Sequence, residues 1–139
     1  MSAPRRILFV CVHNAGRSQM AEAFANALAR ERGLAIEAAS AGTVGGDRVN
    51  PVAVAVMREL GIAMDGHRPK LLTPEAAASA DRVVTMGCGV GADACPARLH
   101  VAEDWGLDDP AGRPIDEVRA IRDQIRARVG RLLDELAGP

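Results

Sequence analysis

The apolar residues of the chain form short, mostly uninterrupted runs that alternate with longer stretches in which they recur every three or four positions. Short runs are typical of buried strands, and the longer spacing is typical of amphipathic helices. We therefore predict strands over 7–10, 34–41, 83–86 and 99–102. We predict helices over 18–33, 50–61, 73–80 and 114–136.

The ends of the predicted helices carry residues that commonly begin or stop a helix. Asn50 and Thr73, each followed by a proline, are expected to cap the second and third helices. Ser18 is expected to cap the first helix, and Gly33 to end it. The last helix has apolar residues at Ile115, Val118, Ile121, Ile125, Val129, Leu132 and Leu136. Its arginines are expected to form a solvated face: Arg119, Arg122, Arg126, Arg128 and Arg131.

Strands that alternate with helices predict a parallel sheet with helices on both faces. The length of 139 residues predicts a single domain over 1–139. Ligands of such sheets bind beyond the carboxyl ends of the strands. Cys11, Cys88 and the acidic segment 103–110 all follow predicted strands, so we expect them to gather at one edge of the sheet.

Composition narrows the classes of function. Seventeen basic and eighteen acidic side chains give a net charge of -1, so no overall field would attract nucleic acid or an anionic membrane. Phe9, Phe24 and Trp105 are the only aromatic residues, which is too few for a base-stacking surface, and Trp105 is expected to pack in the core. We expect no signal peptide and no membrane span. An odd number of cysteines indicates a reducing compartment, so we expect the cytoplasm.

The segment from Cys11 to Ser18 combines a strand end, a short loop and a helix start. Backbone N–H groups of such a loop, together with the helix N-terminus, hold a tetrahedral oxyanion. The same field and the nearby guanidinium favour the thiolate form of Cys11, which makes it a nucleophile. The alternative is a buried structural thiol. The expected oxyanion-binding residues are Val12, His13, Asn14, Ala15, Gly16 and Arg17.

Two further cysteines, Cys88 and Cys95, lie in a segment rich in glycine and alanine. A flexible segment lets sulfur atoms come within bonding distance, so we interpret them as a redox pair. The alternatives are two free thiols without function, or a zinc site completed by His13 or His100, although zinc ligands usually lie closer in sequence.

Asp109, immediately before Pro110, is a candidate general acid for a leaving oxygen. An aspartate before proline is also common in ordinary turns, and Asp104 and Asp108 remain alternatives for the acid. His13 is a less favoured candidate for catalysis.

Four motifs resemble the low-molecular-weight protein tyrosine phosphatase superfamily, and within it the arsenate reductases. They are the sequences ILFVCVHNAGRSQMAE at 7–22, SAGT at 40–43, NPVAVAVM at 50–57 and WGLDDP at 105–110. The resemblance implies a three-layer α/β fold with a four-stranded parallel sheet. It implies Cys11 as nucleophile, Arg17 as oxyanion clamp and Ser18 as support for the thiolate. Asp109 would be the general acid.

In the thioredoxin-coupled reductases that the chain resembles, two cysteines of a mobile segment complete the cycle, and Cys88 and Cys95 match them. The resemblance thus implies arsenate as substrate and thioredoxin or a similar dithiol as partner. Mycothiol or a glutaredoxin system is the alternative reductant. It implies no tightly bound cofactor, although some members bind potassium. The matching positions for potassium are Asn14, Glu22, Ser40 and Asp65.

Two other functions remain open on the sequence. A phosphatase would use the same Cys11, Arg17 and Asp109, but members of that class usually carry aromatic residues after the Asp-Pro pair, whereas Ala111 and Gly112 follow in this chain. A non-catalytic anion-binding module would keep the loop and lack a reactive thiol.

Overall fold

A computed structural model describes residues 4–44, 46–86 and 101–137 of the chain. In these ranges the elements are β1 (Arg5–Cys11), α1 (Arg17–Arg32), β2 (Ile36–Gly42), α2 (Pro51–Arg58), α3 (Pro74–Ser79), β3 (Arg82–Thr85), β4 (Val101–Asp104) and α4 (Ile115–Ala137). Each predicted strand and helix is therefore present, with ends that differ by a few residues. None of these helices is long and apolar enough to cross a bilayer.

The strands form a parallel sheet in the order β2-β1-β3-β4. This confirms the predicted α/β fold with a parallel sheet flanked by helices. The chain runs outward from β1 to β2 on one side and then returns to place β3 on the other side of β1. A crevice forms beyond the carboxyl ends of strands at such a switch point, and Cys11 is the last residue of β1.

Alternate residues of β1 pack on opposite faces of the sheet. Ile7 and Phe9 belong to the larger core cluster, which includes buried residues of α1, α2 and α4. Leu8 and Val10 belong to a smaller cluster against which Ala76 of α3 packs. This alternation buries β1 on both faces, as a central parallel strand requires, and fixes its end at a defined depth in the sheet.

The helix starts confirm two of the three predicted caps. The Asn50 side chain accepts a hydrogen bond from Val52 N at 2.9 Å, and the Thr73 hydroxyl accepts one from Ala76 N at 3.1 Å. The prediction that Ser18 caps α1 is wrong, because the N-cap is Gly16 and no side chain caps that end. Ser18 lies inside the first turn, where its hydroxyl has a different partner.

The prediction of a solvated arginine face on α4 is wrong for Arg122, which is buried. Its guanidinium donates to Val56 O at 2.9 Å and to Glu59 Oε1 at 2.8 Å. Arg119 also donates to Glu59, with Nη2 2.7 Å from Oε2. The hydrogen bond from Arg119 is the main cause that lowers the pKa of the Glu59 carboxyl. These contacts join the end of α2 to α4.

Candidate active site

Cys11 lies at the base of a loop, residues 12–17, which we call the anion loop. Its Sγ is 2.7 Å from Ser18 Oγ and accepts a hydrogen bond from Asn14 N at 3.2 Å. Asn14 has a φ of 55°, in the left-handed region that asparagine tolerates better than most residues. The unusual backbone at Asn14 therefore turns its N–H toward the sulfur.

Carbonyl groups of the anion loop and of Cys11 bond to the segment that follows β2. Cys11 O and Val12 O accept from Thr43 N at 3.0 Å and Val44 N at 2.8 Å, and Ala15 O accepts from Asn50 N at 2.7 Å. The C=O and the following N–H of a planar trans peptide point in opposite directions. With these carbonyls held on the outside, the N–H groups of the same peptides face the inside of the loop, where an anion would bind.

Two glycines allow the segment after β2 to approach the loop this closely. A Cβ at Gly42 would lie 2.7 Å from Val12 O and 2.9 Å from His13 C, and one at Gly46 would lie 2.6 Å from His13 O. All three distances are too short for a side-chain carbon. The loop that these glycines approach is more than 25 residues earlier in the chain, so no local pattern indicates the contact.

Arg17, the last residue of the anion loop, is buried, and its guanidinium joins two other parts of the sheet edge. Its Nη1 donates to Met86 O at 2.9 Å and to Leu107 O at 2.7 Å. Met86 directly follows β3, and Leu107 lies in the loop after β4. Arg17 therefore fixes the ends of two strands relative to Cys11 while it also lines the cleft above the sulfur.

The cleft above Cys11 is small, with a volume of about 60 Å³. It is lined by Cys11, His13, Ala15, Gly16, Arg17, Asn50, Asp109, Pro110 and Ala111. Every predicted oxyanion-binding residue except Val12 and Asn14 is in this set. No aromatic side chain is among the lining residues, so the cleft suits a small anion better than a substrate with a ring.

Asp109 lies across the cleft from the anion loop, in a short turn. Its Oδ1 accepts from Ala111 N at 3.0 Å, and its carbonyl accepts from Arg113 Nε at 2.6 Å. Pro110 is seated against the loop, because a Cβ at Gly16 would lie only 2.8 Å from Pro110 Cγ. The turn thus places one carboxylate at the cleft.

The structure separates the three aspartates that the sequence left as alternatives. Asp104 ends β4 and accepts from the Thr85 hydroxyl at 2.6 Å. Asp108 is exposed and, unlike Asp109, does not line the cleft. Trp105 is buried and packs on Phe9 with ring centroids 5.6 Å apart, as predicted.

Gln19 is a site residue that sequence reasoning missed. It is fully buried, and its Nε2 donates to Asn14 Oδ1 at 2.9 Å and to Arg68 O at 2.9 Å. Its Oε1 lies 2.9 Å from His67 Nδ1. Because the amide nitrogen is engaged by acceptors, the imidazole must donate from Nδ1. The spacing gave no signal for it, because Gln19 does not fall on the apolar stripe of α1 that contains Met20 and Phe24.

Oxygen atoms at the four positions expected to bind potassium already have partners from the chain. Ser40 Oγ donates to Glu22 Oε1 at 2.8 Å, so these two are in contact. The Asp65 side chain is 80% exposed and pairs with Arg58 at 3.6 Å, whereas Asn14 is fully buried. Within the described ranges no group of three His, Cys, Asp or Glu residues could hold a metal ion. The residues present therefore do not fit potassium, and no step below uses it.

The remaining predicted site residues, Cys88 and Cys95, lie outside the described residues, as does His100. The redox pair and its zinc alternative therefore both stay predictions.

Comparisons with known proteins agree with the resemblance read from the motifs. The profile of the family described as low molecular weight phosphotyrosine protein phosphatase matches residues 6–138. A putative arsenate reductase of Halobacterium salinarum is 41% identical over 129 residues, which cover 91% of this chain and 89% of that protein. A glutaredoxin arsenate reductase of Synechocystis is 34% identical, with 96% and 99% covered. A solved structure of an arsenate reductase in the phosphate binding state is 35% identical, with 94% and 98% covered and a TM-score of 0.81.

Proposed function

The chain belongs to the low molecular weight phosphotyrosine protein phosphatase family, and from this premise we propose that it is an arsenate reductase that reduces arsenate to arsenite at Cys11. The observation that carries the proposal is the cleft itself. A thiol lies at the base of an anion loop, and the small cleft above it has no Phe, Tyr or Trp side chain among its described lining residues. Relatives that span nearly the whole chain are named arsenate reductases.

Binding of arsenate would use the inward-facing N–H groups of the anion loop and the guanidinium of Arg17. Backbone N–H groups and the α1 N-terminus supply fixed positive potential without any rearrangement of side chains. Arg17 supplies a planar fork that matches two oxygens of a tetrahedral anion. The overall charge of -1 makes this local field the main attraction for the substrate.

The first chemical step is an attack of the Cys11 thiolate on arsenic. A sulfur–arsenic bond forms, one arsenic–oxygen bond breaks, and the leaving oxygen takes a proton from Asp109 and departs as water. Arsenic is still pentavalent in this adduct. Ser18 and Asn14 stabilise the thiolate before the attack, since both contact Cys11 Sγ.

The second step uses the predicted relay. The Cys88 thiolate attacks Cys11 Sγ, the sulfur–arsenic bond breaks, and its electron pair reduces arsenic to the trivalent state, which leaves as arsenite. Cys95 then attacks Cys88, so the disulfide moves to Cys88 and Cys95 and the Cys11 thiolate is restored. We place the external reductant, a thioredoxin-type dithiol in the cytoplasm, at the last step. A glutaredoxin or mycothiol system is the alternative.

A phosphatase is the second candidate function, favoured by the family to which the chain belongs. It would use the same Cys11, Arg17 and Asp109, with water in place of Cys88 as the second attacking group. The arsenate reductase is preferred because Ala111 lines the cleft where a ring-binding aromatic residue would be needed, and because a phosphatase has no use for Cys88 and Cys95.

The experiment that tests the proposal measures arsenate-dependent oxidation of NADPH with thioredoxin and thioredoxin reductase, repeated with glutaredoxin and mycothiol systems. We expect turnover with one of these reductants and loss of turnover in Cys88→Ser. Hydrolysis of p-nitrophenyl phosphate by the same variant is the control, because the relay cysteine is not needed for it. Steady arsenate reduction by Cys88→Ser, or phosphatase activity without any reductase activity, would contradict the proposal.

A further inference from the structure

A group of charged and polar side chains adjoins the anion loop but does not line the cleft. Its centre is the Glu22 carboxylate, whose side chain is only 14% exposed. Ser40 Oγ donates to Glu22 Oε1 at 2.8 Å, and His67 Nδ1 lies 3.6 Å from Oε2. A carboxylate this far from water needs a nearby positive charge.

Lys70 supplies that charge. Its Nζ lies 3.5 Å from Glu22 Oε1 and 3.4 Å from the carbonyl oxygen of Arg68. Its backbone N–H donates to Asn14 Oδ1 at 2.8 Å. Asn14 in turn donates through its own N–H to Cys11 Sγ. Lys70 therefore contacts both the buried carboxylate and the residue that shapes the anion loop.

Oxygen atoms expected to surround a potassium ion already have partners from the chain. Asn14 Oδ1 accepts from Gln19 Nε2 and from the Lys70 N–H, which uses both of its lone pairs. Glu22 Oε1 accepts from Ser40 and faces the Lys70 ammonium. An alkali cation at this place would have to displace the ammonium.

The sequence adds a second, independent observation. Lys70 is the only lysine in the chain, because the other sixteen of its seventeen basic residues are arginines. An ammonium is a compact point charge, whereas a guanidinium is a wide planar fork. The single lysine of the chain is thus the residue whose compact cation contacts a carboxylate and a backbone carbonyl together.

We infer that the Lys70 ammonium is a built-in cation that replaces potassium beside Glu22, on the same residue whose backbone N–H holds Asn14. The protein is therefore stable and active without an alkali cation. Removal of the ammonium leaves the Glu22 carboxylate, the Ser40 hydroxyl and the Arg68 carbonyl without a cation between them. Potassium can then bind there, because these are the oxygen ligands that hard cations prefer.

The experiment compares the Tm of three proteins in KCl, NaCl and tetramethylammonium chloride at the same ionic strength, about 0.1 M, so that screening is equal. They are the wild type, Lys70→Met and the control Arg68→Met, which removes an exposed positive charge two residues away. We expect one wild-type Tm in all three salts. We expect Lys70→Met to melt about 2 to 5 °C lower, with the loss largely restored by KCl and less by NaCl. Arg68→Met should show no difference between salts.

Three results would overturn the inference: a potassium-specific rise in the wild-type Tm, an unchanged Tm in Lys70→Met, or a lower Tm that potassium does not restore. If Lys70→Met fails to fold, reductive methylation with ¹³C-formaldehyde labels the single lysine and keeps its charge. Its NMR signal is expected to move between the wild type and Glu22→Gln. A signal that is the same in both proteins would show that the ammonium and the carboxylate do not interact.

Discussion

Cys11 Sγ and Ser18 Oγ lie 2.7 Å apart, both buried, although seven residues separate them in the chain. Asn14 Nδ2 donates to the same Ser18 oxygen at 2.7 Å. Either atom of the pair can donate, but a thiolate at Cys11 can only accept, so in that form the Ser18 hydroxyl is the donor. A hydrogen bond to a charged sulfur stabilises it, so Ser18 is placed to support the Cys11 thiolate during the attack.

Replacement of Ser18 by alanine removes the donor to the sulfur and leaves Asn14 Nδ2 without its buried acceptor. A hydrogen bond to a charged group contributes about 1.5 to 3 kcal/mol, so we expect kcat for arsenate reduction to fall by about 10- to 100-fold. The rate at which iodoacetamide alkylates Cys11 in the folded protein at neutral pH should fall in parallel. Mass spectrometry of the peptide that contains Cys11 measures this rate.

The matched control is Ser79→Ala, which removes an exposed hydroxyl that donates to Ala76 O at 3.1 Å in α3. In this variant, kcat for arsenate reduction and the rate of Cys11 alkylation should both equal those of the wild type. A Ser18→Ala protein with wild-type alkylation would show that the hydroxyl does not act on the sulfur.

Gly42→Ala is expected to displace the anion loop, because the new Cβ would lie 2.7 Å from Val12 O. Overpacking against backbone costs about 1 to 3 kcal/mol of the free energy of unfolding, which urea denaturation measures. Weaker binding of arsenate or phosphate, measured by calorimetry, should accompany the loss.

Gly130→Ala, in α4, is the matched control, since its Cβ would lie 3.7 Å from Nη2 of Arg32 in α1, an ordinary van der Waals contact. Alanine in a helix interior gains about 0.5 to 1 kcal/mol over glycine, so this variant should be as stable as the wild type or more so. Equal free energies of unfolding of the Gly42→Ala and Gly130→Ala proteins would contradict the close approach of Gly42 to Val12.

Local patterns were enough to predict the elements and the place of Cys11. Apolar residues recur every three or four positions in α4 and form a short uninterrupted run in β1. Such spacings indicate which faces of an element are buried, and therefore whether it is a helix or a strand. These features depend on neighbours within one or two turns of the chain.

Contacts between distant segments could not be read from the same patterns. Ser18 was predicted both to cap α1 and to support the Cys11 thiolate. The structure shows its contact with Cys11 and no side-chain cap. Gln19 and Arg122 looked like polar residues of helix surfaces, yet both are buried on partners more than 45 residues away. A side chain's burial on a distant segment depends on how the helices pack, which no local spacing encodes.

Asp109→Asn is expected to keep the turn, because an amide oxygen can still accept from Ala111 N, but to lose the transferable proton. General acid catalysis typically contributes about 10²- to 10⁴-fold, so kcat for arsenate reduction should fall by that range with little change in arsenate binding. Asp108→Asn, one residue earlier and exposed, is the control and should keep wild-type kcat. Equal losses of kcat in the two variants would contradict the assignment of Asp109, which lines the cleft, as the general acid.

Stability should depend on pH through Glu59. The contact with Arg119 lowers the pKa of Glu59 in the folded chain, so the folded protein binds fewer protons there than the unfolded chain does. The contribution of the Glu59 carboxylate to the free energy of unfolding is therefore complete above the pKa of about 4.3 in the unfolded chain. It is lost as the pH falls through the lower pKa of the folded chain. We expect Glu59→Gln to lower Tm at neutral pH and the difference to shrink in acid.

Glu31→Gln, at an exposed position of α1, is the control for that titration and should show no such trend. A difference in Tm between the wild type and Glu59→Gln that stays constant down to about pH 3 would show that the charge of the Glu59 carboxylate does not contribute to its contacts with the arginines.

The relay of three sulfurs is tested most directly by a single turnover without external reductant. Fully reduced protein is mixed with excess arsenate, the arsenic species are separated, and disulfides are mapped by mass spectrometry. We expect about one arsenite per chain, because each chain holds one electron pair for the reaction, and a disulfide between Cys88 and Cys95 with Cys11 again a free thiol. No arsenite, or arsenite formed while Cys88 and Cys95 both remain thiols, would contradict the proposed function.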